Sequence, residues 1–133
     1  MFGILDISTS ALVANRTRLD AIAANIANVD VPVDPRSKST PFSERVVEFA
    51  SGDPTSGAAG GVHVAQITPR NAFRQTYEPW SDKADANGYV RYPDIDPVVQ
   101  QANAMLAMRS YDANLAAIDA TKSMIEASLR ILG

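Results

Sequence analysis

The sequence predicts a mainly α fold with a small β-containing middle, in which long N- and C-terminal helices pair as a coiled coil around an inserted loop and strand region. Three observations predict it. Apolar residues recur at steps of seven, or of alternating fours and threes, at both ends of the chain. All eight prolines and five of the seven glycines fall between Pro32 and Pro97. Charge divides the same way: residues 1–29 and 97–133 are each neutral, and the middle carries ten acids against seven bases, which is the whole net charge of −3. Residues 1–30 and 97–133 are therefore expected to form one discontinuous coiled-coil core, with 31–96 as a loop-rich insert.

The C-terminal segment carries the strongest signal. Asp96 is a good N-cap, and Pro97 suits the first helical position, where a missing N–H costs nothing. Ala104, Met108, Tyr111, Leu115, Ile118, Lys122, Ile125, Leu129 and Leu132 step forward by fours and threes, with one polar break at Lys122. No Gly or Pro interrupts the run before Gly133. A second seven-residue row, Val99, Leu106, Ala113, Ala120 and Ala127, lies beside it, with Met105, Met124 and Ile131 also outside the main seam.

From Ile4 to Val29 the pattern is again helical. Leu5, Leu12, Leu19 and Ile26 fall seven apart, and Ile22 and Val29 fill the intermediate positions. Ser8 and Asn15 hold those positions in the first half, so the stripe is weaker there. Six alanines between Ala11 and Ala27 favour helix and let neighbouring backbones come close. Pro32 and Pro35 end the segment.

Within the insert, 33–41 is polar and punctuated, hence loop. Phe42–Phe49 is expected as a strand, and Val62, Val64 and Ile67 mark a second. The small, Gly-rich stretch 51–61 between them is a flexible loop. Phe73–Tyr77 marks a third strand, 78–88 is turn-rich, and Tyr89–Pro93 is a short extended segment leading into the last helix.

The same residues exclude several function classes. The net charge argues against nucleic-acid binding driven by bulk electrostatics. The absence of cysteine removes disulfides and thiolate metal sites. No run approaches the roughly 18 apolar residues of a membrane span, so no membrane insertion is expected. Met1–Asp6 lacks the basic and long apolar regions of a cleavable signal, so export would need another route.

Chemistry is sparse. His63, the only histidine, sits between Val62 and Val64 with no nucleophile motif, and reads as a structural strand residue. Asp82, Asp85, Asn87, Asp94 and Asp96 miss the calcium-loop spacing, because Lys83 holds the first ligand position; they read as turn and cap residues. Ser56–Gly61 resembles a phosphate loop only in glycine content. Asn15-Arg16-Thr17 is a chance sequon within a helix. Trp80 and Tyr92 read as small-core or interface anchors. No catalytic residue, cofactor or metal is expected.

A lone C-terminal helix would forgo on the order of 10–20 kcal/mol of burial by its seam. The N-terminal helix is the obvious partner, in an antiparallel or staggered pair with the middle emerging at one end. Such a pair covers one stripe on each helix. The remainder needs the middle or other chains. The expected interface comprises Leu5, Leu12, Leu19, Ile22, Ile26, Leu106, Met108, Tyr111, Leu115, Ile118, Ile125, Leu129 and Leu132.

The residues also resemble a known family. Ser10-Ala11-Leu12, Arg18-Leu19-Asp20 and Ala24-Asn25-Ile26-Ala27-Asn28-Val29-Asp30 are similar to the N-terminal signature of the bacterial flagellar basal-body rod and hook proteins. The C-terminal half looks like that of a proximal-rod member, through Asn87-Gly88-Tyr89-Val90, Pro93-Asp94-Ile95-Asp96, Arg109-Ser110-Tyr111-Asp112-Ala113-Asn114, Lys122-Ser123-Met124 and Leu129–Gly133. Gly61–Ile67 and Tyr77-Glu78-Pro79 fit as well. The chain departs from the family pattern at Asp30–Asp34, at Pro41-Phe42, at Trp80-Ser81 and at Gln101-Ala102. The motif residues carried over are Asn25, Asn28, Arg109, Tyr111 and Asn114.

The resemblance implies a structural subunit of the flagellar proximal rod, polymerising through its terminal helices into an axial shaft that transmits torque. It implies signal-peptide-independent passage through the flagellar type III export apparatus, a place in the basal body across the periplasm, and partners among copies of itself and other rod proteins. The alternative from the residues alone is a soluble helical-hairpin adaptor or export chaperone of a secretion system.

Overall fold

The computed structural model describes residues 2–133 and, from Gly3 onward, their side chains. The chain runs α1 (Phe2–Asn28), β1 (Glu44–Ser51), β2 (Val62–Arg70), β3 (Phe73–Tyr77), β4 (Tyr89–Pro93) and α2 (Pro97–Leu132). It is mainly α with a β middle. At 1.5 Å per residue α2, with 36 residues, is about 54 Å long, and α1, with 27, about 40 Å.

The ends of α2 form as the sequence dictates. The Asp96 carboxylate accepts from the Val98 and Val99 N–H groups at 2.9 and 3.4 Å, and Pro97 holds the first turn. The Gly133 N–H closes the far end on Leu129 O at 3.1 Å. Asp96→Ala is expected to cost about 1 kcal/mol, read as a lower denaturation midpoint with an unchanged slope. At the C-terminus of α1, Arg74 donates to Val29 O and to Asp30 Oδ1, placing a cation against the negative end of the helix.

α1 and α2 pack antiparallel. Asn25 meets Gln100, while Arg16 and Leu19 share a cleft with Met108, Tyr111 and Asp112. The covered positions of α2 are Gln100, Ala104, Ala107, Tyr111, Asn114, Ile118, Thr121, Ile125 and Ser128, which keep a strict four–three spacing. This differs from the expected seam at alternate positions. Ala107, Asn114, Thr121 and Ser128 turn inward, and their neighbours Met108, Leu115, Lys122 and Leu129 stay outside. Small residues let the helices approach closely, and the polar ones are satisfied locally: Asn114 donates to Ser110 O and Thr121 to Ala117 O. The Ser8 and Asn15 positions on α1, which read as weak points, are buried for the same reason.

The middle does not simply emerge at one end. β1 and β2 form an antiparallel hairpin, with a bulge after Glu48, that folds back along α1. At Gly61 (φ +94°) the approach is so close that a Cβ would lie 2.8 Å from Ser10 Oγ. The Ser10 hydroxyl takes the Val62 N–H at 3.1 Å and donates to Ile7 O. Both strands outrun their predicted limits, β1 by two residues to Ser51 and β2 by three to Arg70, and β1 starts at Glu44 rather than Phe42.

β3 and β4 form a second hairpin beside the α1–α2 junction. Val90, Pro93 and Ile95 are buried in it. Tyr77 and Tyr89 face each other edge to face at 5.3 Å, and Arg74 and Arg91 stack on Tyr92 and Phe73. The 32–41 segment is strapped to this unit. Val33 N–H bonds Arg91 O, Arg36 donates to Asp82 O, and Asp34 holds Lys83 at 3.0 Å.

The Arg36 N–H and the Lys83 ammonium hold the Asp34 carboxyl below its ordinary value of 3.8. A depressed carboxylate pKa supports the folded strap fully above pH 3.8 and loses that support as pH falls through the lower folded value. NMR titration of the Asp34 carboxyl should show that lower midpoint, and Lys83→Ala should return it towards 3.8.

Candidate assembly interface

Two features of the structure bear on function, a polar clasp that fixes the four packed elements and an uncovered face along α2.

The clasp centres on Asn25, buried at 1% exposure. β1 pairs with β2 so that Arg45 lies opposite Pro69, which has no N–H; both main-chain groups of Arg45 therefore point away from the partner strand. Asn25 meets them both. Its Oδ1 accepts the Arg45 N–H at 2.8 Å and its Nδ2 donates to Arg45 O at 3.0 Å. The side-chain amide thus stands in for a third strand and closes the free edge of β1. The same Nδ2 donates to Gln100 Oε1, and Gln100 Nε2 donates to Glu44 Oε1 at 2.7 Å. Arg70 pairs with the other Glu44 oxygen. One residue on α1 thereby joins β1 and α2, and Glu44 joins β2. Asn28 does less: its Nδ2 donates to Ala24 O within its own helix.

The uncovered face is a second four–three row on α2: Val99, Asn103, Leu106, Ser110, Ala113, Ala117, Ala120, Met124, Ala127 and Ile131, all exposed. Leu106, Met124 and Ile131 are 60, 66 and 85% exposed. None of the ten is charged. The six charged residues of α2, Arg109, Asp112, Asp119, Lys122, Glu126 and Arg130, fall elsewhere around the helix. A surface helix ordinarily directs its charges to the side opposite its buried stripe. Here the charge-free face spans two adjoining stripes, and only one is covered within the chain.

The expected interface residues are distributed unevenly. Ile22 is buried; Leu5, Leu12, Leu19, Tyr111, Ile118 and Ile125 are half-buried between elements; Leu106, Met108, Leu115, Leu129 and Leu132 stand exposed, and Ile26 lies at the margin. Arg109 is exposed and Asn114 half-buried. Sequence reading missed Gln100, Glu44 and Arg70, because nothing local marks residues that meet across separate elements. It joined Val99, Leu106, Ala113, Ala120 and Ala127 into one row and set Met124 and Ile131 outside the main seam, but did not interleave Asn103, Ser110, Ala117, Met124 and Ile131 with that row.

Other surfaces carry less chemistry. His63 Nδ1 lies 2.8 Å from Gly52 O, which fits a strand residue anchoring the β1–β2 turn. Asp85 Oδ1 accepts the Asn87 and Tyr89 N–H groups, so the acidic stretch is occupied with turn chemistry. Among the described residues no group of three or more His, Cys, Asp or Glu could hold a metal ion, and no helix is long and apolar enough to cross a membrane.

Comparison with known proteins places this architecture. The family model described as flagella basal body rod protein matches residues 5–32, which is α1 and the turn after it. The flagellar basal-body rod protein FlgC of Salmonella typhimurium is 38% identical over 98% of this chain and 97% of its own length. FlgC of Bacillus subtilis is 37% identical over the same shares. FlgC of Aquifex aeolicus is 37% identical over 95% of this chain and 92% of its own. With more than 35% identity over nearly the whole length of both chains, the chain belongs to the FlgC family of bacterial flagellar basal-body rod proteins.

Proposed function

We propose that this chain, a structural and non-enzymatic component of the flagellar basal body, is built into the rod by helix-to-helix packing with neighbouring subunits along the uncovered row of α2. The observation that carries the reading is the uncharged four–three row from Val99 to Ile131, which repeats the spacing of the stripe covered by α1. A helix with two such stripes has two packing partners. The first partner is α1, in a coiled-coil-like pair. The second lies in another subunit, a copy of this chain or another rod protein.

On this reading the clasp at Asn25 fixes the hairpin to the helix pair, so that load applied to the β middle reaches the helices and passes along the shaft as torque. The subunit is exported by the flagellar type III apparatus and takes its place where the rod crosses the periplasm. Burial of the second stripe at assembly offsets the entropy of ordering any part of the helices that is loose beforehand. The test is genetic and biochemical together. Cells lacking this chain are expected to be non-motile, to regain motility when it is restored, and to carry it in purified basal bodies. Motility without it, or a chain confined to the cytoplasm, would overturn the reading and favour a soluble adaptor.

A further inference from the structure

The turn between β3 and β4 presents the chain's only tryptophan to solvent. Trp80 is 80% exposed, beside Tyr77 at 59%. The loop that carries it is tightly tied. Glu78 N–H bonds Gly88 O, Ser81 N–H bonds Glu78 O, Asp85 N–H bonds Tyr89 O, and Arg36 and Asp34 grip it from the strap. A large aromatic group on an already ordered loop is the usual anchor of a protein interface, since little entropy is lost on docking. Glu78, Asp82 and Asp85 lie on the same loop; of the cations beside it, Lys83 is engaged by Asp34 and Arg36 donates to Asp82 O.

The same molecule carries a groove of opposite character. It measures about 420 Å³ between α1, β1 and the first turns of α2. Its rim holds Arg18, Arg45 and Arg70 against one acid, Glu44, which is already paired with Arg70. Its floor is apolar, with Ile22, Val46 and Val47, and α2 supplies Val99 and Leu106. The larger groove, between the N-terminal half of α1 and the turn end of the β1–β2 hairpin, is about 800 Å³ but is lined by Asp6 and Asp53, which would repel the acidic loop.

We infer that the Trp80 loop of one copy of this chain docks into the arginine-rimmed groove of the next copy. The indole sits on the apolar floor, and Asp82 and Asp85 meet the arginine rim. Loop and groove are different surfaces, so the contact is head-to-tail and propagates from subunit to subunit instead of closing a two-fold pair. The inference rests on the rod reading, and because Val99 and Leu106 wall the groove, the loop and the neighbouring helix of that reading meet at the start of the α2 row.

The absence of native cysteine makes a clean test possible. A Trp80→Cys, Val46→Cys double variant of the full chain is introduced in place of the wild-type chain. Basal bodies are purified, oxidised and resolved by mass. The expected result is a ladder of covalent multimers of this chain, absent from the single variants and from a Trp80→Cys, Thr55→Cys control. Reversing the rim with Arg45→Glu should shrink the ladder, and adding Asp82→Lys should restore it. Basal bodies that contain the subunit but give no ladder above the Thr55→Cys control would overturn the inference and leave the rod reading standing. So would cross-links from Trp80→Cys to a different protein. A chain absent from wild-type basal bodies would remove the rod reading and this inference with it.

Discussion

Replacing Leu106 and Met124 together by aspartate is expected to abolish motility while leaving a folded subunit. Both side chains are more than half exposed and lie in the uncovered row of α2, eighteen residues apart. Neither has a partner in the covered stripe, so a charge there costs the monomer little; exposed substitutions of this kind usually fall within about 0.5 kcal/mol. In an assembled helix pair the same carboxylates would be buried unpaired, at several kcal/mol each, enough to exclude the subunit from the rod. Ile118→Asp should behave in the opposite order. Ile118 is half-buried on the stripe that faces α1, so its loss lowers the stability of the monomer before any question of assembly arises. Circular dichroism and thermal unfolding of the purified variants separate the two cases, and a motility assay completes them. Wild-type motility in the Leu106, Met124 double variant would remove the row from the interface.

The second large effect is expected at Asn25. Asn25→Leu keeps the size of the side chain but strands the Arg45 N–H, the Arg45 carbonyl and Gln100 Oε1, all of which Asn25 now satisfies. An unmet buried polar group costs about 1–3 kcal/mol, so the variant should lose about 3–6 kcal/mol. That is comparable with the whole stability of a domain of this size. Hydrogen exchange should show the loss first at β1, whose free edge Asn25 closes. Asn28→Leu provides the contrast. Its amide only back-bonds Ala24 O in its own helix, so the change should stay near 1 kcal/mol or below. Equal losses at the two positions would contradict the assigned role of Asn25.

Much of the fold was legible because its signals are local. Asp96-Pro97 announces the start of α2, the proline-rich stretch from Pro32 bounds α1, and the seven-residue rows require helices. The strands were placed within a few residues for the same reason: β-branched and aromatic runs lie between turn residues. The helix-pair register was less legible. Apolar periodicity selects the most hydrophobic stripe, Met108, Leu115 and Leu129, whereas the chain covers the adjacent stripe of Ala107, Asn114, Thr121 and Ser128. Close approach of two backbones favours small residues. Asn25 could be named from a motif, but its geometry could not. That depends on Pro69 opposite Arg45, 24 residues further on in the chain, turning the Arg45 main-chain groups outward. The fold-back of the β1–β2 hairpin along α1 escaped for the same reason, since Ser10 and Gly61 meet only in three dimensions.

The most direct test of the whole account is a density map of the assembled basal body in which α2 of this subunit can be traced. Val99, Leu106, Ala113, Ala120, Met124 and Ile131 are expected to lie against a helix of a neighbouring subunit, with α1 on the other stripe. A rod in which that row faces open solvent, or in which α2 meets only its own α1, would contradict it.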